Sequence, residues 1–242
     1  MVALMALTSA LFAAEPHQLT WDVSIQGQPL GKRTATIKYA EGDLGTHRII
    51  ESWTELDGQV GPIRVRYRQR LTAHAASREP ASFQSVIDEN GSAREVQGRW
   101  TPSGWIVSVS GDGQSRTVEM PLDRINLSTA DLVDPSTTLS LAHFESVRIL
   151  STETGQVAAG PVTELGISEL TIGGQPVQVT GYQWDNPQGK DSFYYSPDGF
   201  LVRYETQLLG VPMVAMLSAP PPGGVDDFPV MLAPSSVDEL PL

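Results

Sequence analysis

The chain has 242 residues, 40% of them apolar, and a formal charge of −12 from 28 acidic against 16 basic side chains. That size and apolar content suit one large β domain with a substantial core, while the acidic field disfavours a nucleic acid partner held by phosphate neutralisation. Because the chain has no cysteine, disulfides, thiolate nucleophiles, Cys-ligated zinc or iron–sulfur sites and a lipidated N-terminal cysteine are excluded.

Residues 1–14 form an apolar run ending in Ala13-Ala14, the shape of a secretory signal peptide without its basic leading segment. A buried N-terminal helix is the alternative. Cleavage there would start the mature chain near Glu15 and place it in a bacterial periplasm or outside the cell. The run is shorter than the ~20 apolar residues a transmembrane helix needs, and no other stretch approaches that length. No transmembrane span is expected.

From Leu19 onward the chain alternates apolar and polar residues between turn signals. Leu19–Ile25 alternates cleanly, and Gln26–Pro29 turns the chain into Arg33–Tyr39. Thr46–Leu56 is the third strand, closed by an Asp57-Gly58 hairpin signal. Ile63 to Arg70 follows, with Ile63, Val65, Tyr67 and Gln69 on one face and Arg64, Arg66, Arg68 and Arg70 on the other. Ser82–Asp88 leads to Asn90-Gly91, the strongest hairpin turn in the chain, and strands at 94–101, 105–110 and 115–120 continue the meander.

Leu122–Leu141 breaks the rhythm, with Ser128, Thr129 and Asp131 ahead of Pro135. It reads as a short helical turn or a loop crossing between two groups of strands. Strands resume at 147–151, 164–172, 177–184, 192–195, 200–208 and 211–217, with turns at Gly173-Gly174 and Pro197-Asp198-Gly199. Val211, Met213, Val214, Met216 and Leu217 belong to a nearly continuous apolar run, expected to be buried on both faces or to line an apolar cavity. Residues 220–242 are Pro-rich and acidic and are expected to form a flexible tail, leaving 15–219 as a single β domain.

The arginine stripe can be weighed by pairing parity. A two-residue loop at Asp57-Gly58 puts Glu51 opposite Arg64, and a four-residue loop puts Glu51 opposite Arg66. Either register faces the arginines with His47, Ile49, Glu51, Trp53 and Glu55. A solvated salt-bridge ladder is the ordinary reading, and the surplus of positive charge keeps an anion-binding face at Arg64, Arg66, Arg68 and Arg70 as the alternative.

Other chemistry is sparse. His17, His47, His74 and His143 show no ligand spacing, so neither a metal nor a cofactor is expected; His74 is the one to inspect first. No nucleophile elbow or phosphate loop occurs, and no catalytic residue is assigned. Trp21, Trp53, Trp100, Trp105 and Trp184, with Tyr182, Phe193, Tyr194, Tyr195, Phe200 and Tyr204, are core filling first and a groove second.

Two segments, Trp21–Gly31 and Phe193–Tyr204, resemble the ends of exported bacterial β-proteins grouped as domain-of-unknown-function families 3108 and 6134. The resemblance implies an exported protein built on a strongly curved antiparallel sheet, similar in fold to the half-barrels of periplasmic lipoprotein carriers, whose concave apolar face holds acyl chains. It carries over no catalytic residues.

The expectation is therefore an all-β fold, a large antiparallel sheet rolled into an open or half barrel. The leading function is non-catalytic binding of a lipid or other amphiphile on the concave face by Ile63, Val65, Tyr67, Val211, Met213, Val214, Met216 and Leu217. The alternatives are a module that docks on an envelope protein partner and, third, an enzyme without a recognisable motif.

Overall fold

In the computed structural model, residues 16–42, 45–76, 81–135, 137–208 and 210–222 are described. The segment 1–14, expected as a signal peptide, and the expected tail beyond Pro222 lie outside them. The strands are β1 (His17–Ile25), β2 (Gln28–Gly42), β3 (Gly45–Val60), β4 (Ile63–Ala76), β5 (Ser82–Glu89), β6 (Ser92–Thr101), β7 (Gly104–Gly111) and β8 (Gln114–Pro121), then β9 (Leu127–Ser128), β10 (Ser146–Leu150), β11 (Val157–Ile172), β12 (Gln175–Asn186), β13 (Gly189–Tyr195), β14 (Leu201–Leu208) and β15 (Val211–Leu217). One helix, α1 (Thr137–His143), and two 3-10 turns at Leu122–Arg124 and Asp131–Val133 lie in the crossing between β8 and β10.

All fifteen strands form one sheet in the order β8-β7-β6-β5-β4-β3-β2-β1-β15-β14-β13-β12-β11-β10-β9. Only the β9–β10 pair is parallel. The first and last strands pair at its centre, Trp21 opposite Leu217, and the chain walks outward by hairpins on both sides. Its middle must then cross from one sheet edge to the other. The crossing is tied to β10, because Asn126 N–H donates to the Arg148 carbonyl (2.9 Å) and Arg148 Nη1 donates to the Asp123 carbonyl (2.9 Å).

Local chemistry explains the hairpins. The two-residue loops Gln26-Gly27, Asn90-Gly91, Asp112-Gly113 and Gly173-Gly174 have positive φ at both positions, as the tight turns that match strand twist require. Asp57-Gly58 behaves otherwise. β3 runs through it, and the turn falls at Gly61-Pro62, between the paired Val60 and Ile63. Gly61, with φ +56, takes the first central position, where such a turn demands glycine. Gly58 is a packing glycine: a Cβ there would lie 2.5 Å from Leu30 Cδ1.

The shift by whole rungs preserved the parity. The arginines face Glu55, Asp57 and Trp53 on the exposed side, with Glu55 opposite Arg68, Asp57 opposite Arg66 and Trp53 opposite Arg70. On the inner side Leu56, Val65, Gln69 and Leu71 are buried.

The inner face is the core. Leu19, Trp21, Val23 and Ile25 of β1 meet Ala35 and Ile37 of β2, Ile50 of β3, Phe83 and Ile87 of β5, Val96 and Val107 beyond, and Phe193, Tyr195 and Leu217 from the other half. The crossing packs into the same core through Leu132, Val133 and Leu141. Two clamps hold it: Tyr195 Oη donates to the Leu132 carbonyl (3.1 Å), and Arg48 of β3 reaches Asp131 (2.6 Å) and the fully buried Asp134. Burial opposes the Arg48 charge, but Asp131 and Asp134 together outweigh it and hold the guanidinium ionised beyond its ordinary range. Asp134 also accepts a hydrogen bond from Tyr39 Oη (3.3 Å).

The apolar run of β15 alternates after all. Ala215 and Leu217 are buried, and Met213 shares their face, while Val214 and Met216 are half-buried on the other. The five residues proposed as one cavity wall are therefore split between two faces. Cross-strand pairing imposes period two on any strand, whatever its composition.

Candidate ligand site inside the rolled sheet

The inner face carries one residue type that alternation should have excluded. Arg33 lies in phase with Ala35, Ile37 and Tyr39 of β2, opposite Trp21 on β1 and Thr54 on β3. Its guanidinium sits 5.7 Å from the centroid of the Trp21 ring, and Nε makes one long contact to Ser52 Oγ, 3.4 Å. It forms no ion pair within 4 Å among the described residues.

Opposite it stands the turn between β10 and β11. This turn enters the barrel, since a Cβ on Gly155 would touch Val107 and Val109 of β7. Arg94 Nε donates to the Glu153 carbonyl (3.1 Å) and Arg94 Nη1 to Glu89 (2.9 Å), while Arg116 Nη2 donates to the Thr154 carbonyl (3.2 Å). The turn thus brings the Glu153 carboxyl toward Arg33, Arg94 and Tyr67.

Electrostatics follow from enclosure. Burial pulls the Arg33 pKa down, with Glu153 opposing. The Glu153 carboxyl is pushed up by burial, against the attraction of Arg33 and Arg94. Tyr67, Tyr195 and Tyr204 are held neutral far beyond the usual phenol range, burial being the main cause. The Tyr67 hydroxyl is buried without a hydrogen bond of good geometry, as are Trp184 Nε1 and Arg203 Nε.

Arg33, Tyr67, Glu153 and Tyr204 nevertheless retain accessible surface, although protein surrounds each of them. Accessible surface at such depth marks a crevice. Its walls combine a cation, a carboxyl and phenol groups with the apolar surface of Met213, an arrangement suited to orienting a ligand with one polar end.

The sequence-derived residues distribute unevenly around it. Tyr67 borders the crevice; Val65 and Leu217 are core. Ile63 is 48% exposed at the start of its strand, because the hairpin end projects beyond the packed interior, so it does not line the enclosure. Val211 is half-buried beside Leu208. Val214 and Met216 lie on the outer face. Arg64 pairs with Asp57 (3.2 Å) and Arg68 with Glu55 (2.9 Å), both in solvent; Arg66 and Arg70 have no ion pair among the described residues.

Most of the aromatic set is core, with Trp21, Phe193, Tyr195 and Phe200 fully buried and Trp53 exposed at 44%. His74 stacks on His47 at 5.6 Å and borders an open hollow of about 430 Å³ on the outer face, shared with Gln84, Gln97 and Arg99. Among the described residues no three His, Asp or Glu side chains converge as a metal-binding group. Likewise, no helix among them is long and apolar enough to cross a membrane.

Arg33 and Arg94 escaped the sequence reading although both sit in phase with apolar neighbours, Ala35 and Ile37 for one, Val96 for the other. That phase was the available signal. Glu153 offered none, since it reaches the site from a turn whose position depends on barrel closure.

Comparison with solved structures gives similarity to the crystal structure of a beta-barrel-like protein of domain of unknown function DUF1849 from Brucella abortus, with a TM-score of 0.54 at 10% identity, covering 84% of this chain and 96% of that one. At that identity the likeness concerns the fold. No curated protein matches the chain. The profile of the family described as Domain of unknown function (DUF6134) matches residues 21–214, from Trp21 of β1 into β15, and the chain belongs to that family.

Proposed function

We propose that this chain is an exported, non-catalytic binding protein of the cell envelope that takes a hydrophobic or amphiphilic ligand into the concave side of its rolled sheet, in the manner of the periplasmic lipoprotein carriers. The observation that carries this reading is the crevice at Arg33, Tyr67, Glu153 and Tyr204, open surface enclosed by an otherwise close-packed core. Export rests on the signal-like segment 1–14.

The test is native mass spectrometry of the protein purified from a Gram-negative periplasm, paired with titration of a fluorescent fatty-acid probe. A co-purifying lipid or saturable probe binding is the expected result. A protein that carries no lipid and leaves the probe unbound refutes the reading.

A second reading, docking on an envelope protein, draws on β8. This edge strand is exposed along nearly its whole length, with Val118 at 41%, and an unpaired edge can accept a strand from a partner. Loss of a co-purifying protein when β8 is truncated, with ligand binding retained, would favour it.

A further inference from the structure

We infer that Arg33 is the receptor for the anionic head group, carboxylate or phosphate, of a single-chain amphiphile whose tail lies along the partly accessible Tyr204 and Met213. This rests on the preceding reading of the interior as a ligand site. Among the described residues four arginines lie in phase with the inner face of the sheet, Arg116 at its exposed edge, and three are committed to the protein itself. Arg48 holds Asp131 and Asp134, Arg94 holds Glu89 and the Glu153 carbonyl, and Arg116 holds the Thr154 carbonyl. Arg33 has only the 3.4 Å contact to Ser52 and the Trp21 ring.

A guanidinium removed from water without a carboxylate partner is costly, and its planar fork of donors matches a carboxylate or phosphate in two parallel hydrogen bonds. The Tyr67 hydroxyl, buried and facing the Glu153 carboxyl, is a further donor on the same face. Glu153 lies close enough to feel Arg33 yet forms no ion pair with it. It acts as a weak internal competitor for an anionic ligand and repels a second negative charge only while ionised.

The chemistry predicts head-group selectivity. Anionic heads gain the Arg33 and Tyr67 donors, uncharged heads gain the apolar contacts alone, and cationic heads face Arg33 unfavourably.

The experiment is isothermal titration of the full chain with dodecanoate, dodecyl phosphate, dodecyl maltoside and dodecyltrimethylammonium, each below its micelle concentration. Both anions are expected to bind about tenfold or more tightly than the maltoside, in line with charge-assisted bonds. The stronger of the two identifies a carboxylate or a phosphate source. Arg33→Met, which keeps the aliphatic stem over Trp21, should bring the anions down to the maltoside's affinity. Arg33→Lys should restore part of the difference. Should Arg33→Met fail to fold, Tyr67→Phe reports instead: it removes only the hydroxyl that faces Glu153 and should weaken the anions several-fold while leaving the maltoside unchanged. If no ligand binds the wild-type protein, the interior reading itself falls. If all bind alike and neither variant changes the anions, the ligand site stands and the assignment to Arg33 is overturned.

Discussion

Replacing Asp134 with alanine removes the buried end of the clamp between the crossing and β3. The Asp134 side chain is 0% exposed and that of Arg48 only 11%, so neither can recover its partner's interaction from bulk water. Deleting one member of a buried, hydrogen-bonded ion pair costs about 3–5 kcal/mol. Asp131 remains on Arg48 at 2.6 Å, which places the loss at the lower end, about 3 kcal/mol, and the forfeited Tyr39 bond adds about 1 kcal/mol. For a domain of this size each kcal/mol moves the melting temperature by roughly 2–4 °C, so a fall of about 8–16 °C is expected.

Thermal melts followed by circular dichroism measure it, within a double-mutant cycle using Arg48→Met. Removing both partners should cost clearly less than the sum of the single changes, since the second substitution no longer strands a charge. A D134A melt within about 2 °C of wild type, or a cycle that adds without coupling, would refute the idea that this pair clamps the crossing inside the sheet.

The remaining expectations are smaller. Gly58→Ala should destabilise by about 1–3 kcal/mol through overpacking against Leu30, and Leu30→Val in the same chain should recover part of it; a neutral G58A would contradict the packing role. Glu153→Gln bears on pH. Burial raises the Glu153 pKa in the folded state above its unfolded value, so the protonated carboxyl is the form that folding favours, and this contribution is full below the unfolded pKa and lost as pH rises through the folded one. The glutamine variant should therefore melt higher than wild type at neutral pH and lose that advantage near pH 4, checked by melts across that range; an advantage that grows on acidification would reverse the sign. Glu55→Gln breaks the exposed pair with Arg68 and should change stability by less than about 1 kcal/mol in denaturant titration, because both groups stay hydrated.

The family assignment and the fold likeness agree with the strand-by-strand reading. The alternation of Leu19–Ile25 and Ile63–Arg70, and the turns at Asn90-Gly91 and Gly173-Gly174, reappear where they were expected. Where reading failed, the cause was long-range packing. Gly58 mimics a hairpin turn, yet it exists to admit Leu30 from the neighbouring strand. The β15 run looks buried throughout, yet pairing to β1 and β14 splits it between two faces.

Period two is a property of each strand alone, so the sequence by itself determined the all-β class, most turns and the solvent side of the arginine stripe. Strand order, with the first and last described strands at the centre of the sheet and the middle ones at both edges, is decided by pairings between distant residues. Only the tertiary structure could then show that the crossing folds back inside and that the separate β10–β11 turn brings Glu153 toward Arg33. A site assembled from β2, β4, β14 and a loop leaves no local pattern, because its geometry comes into being only when the sheet rolls.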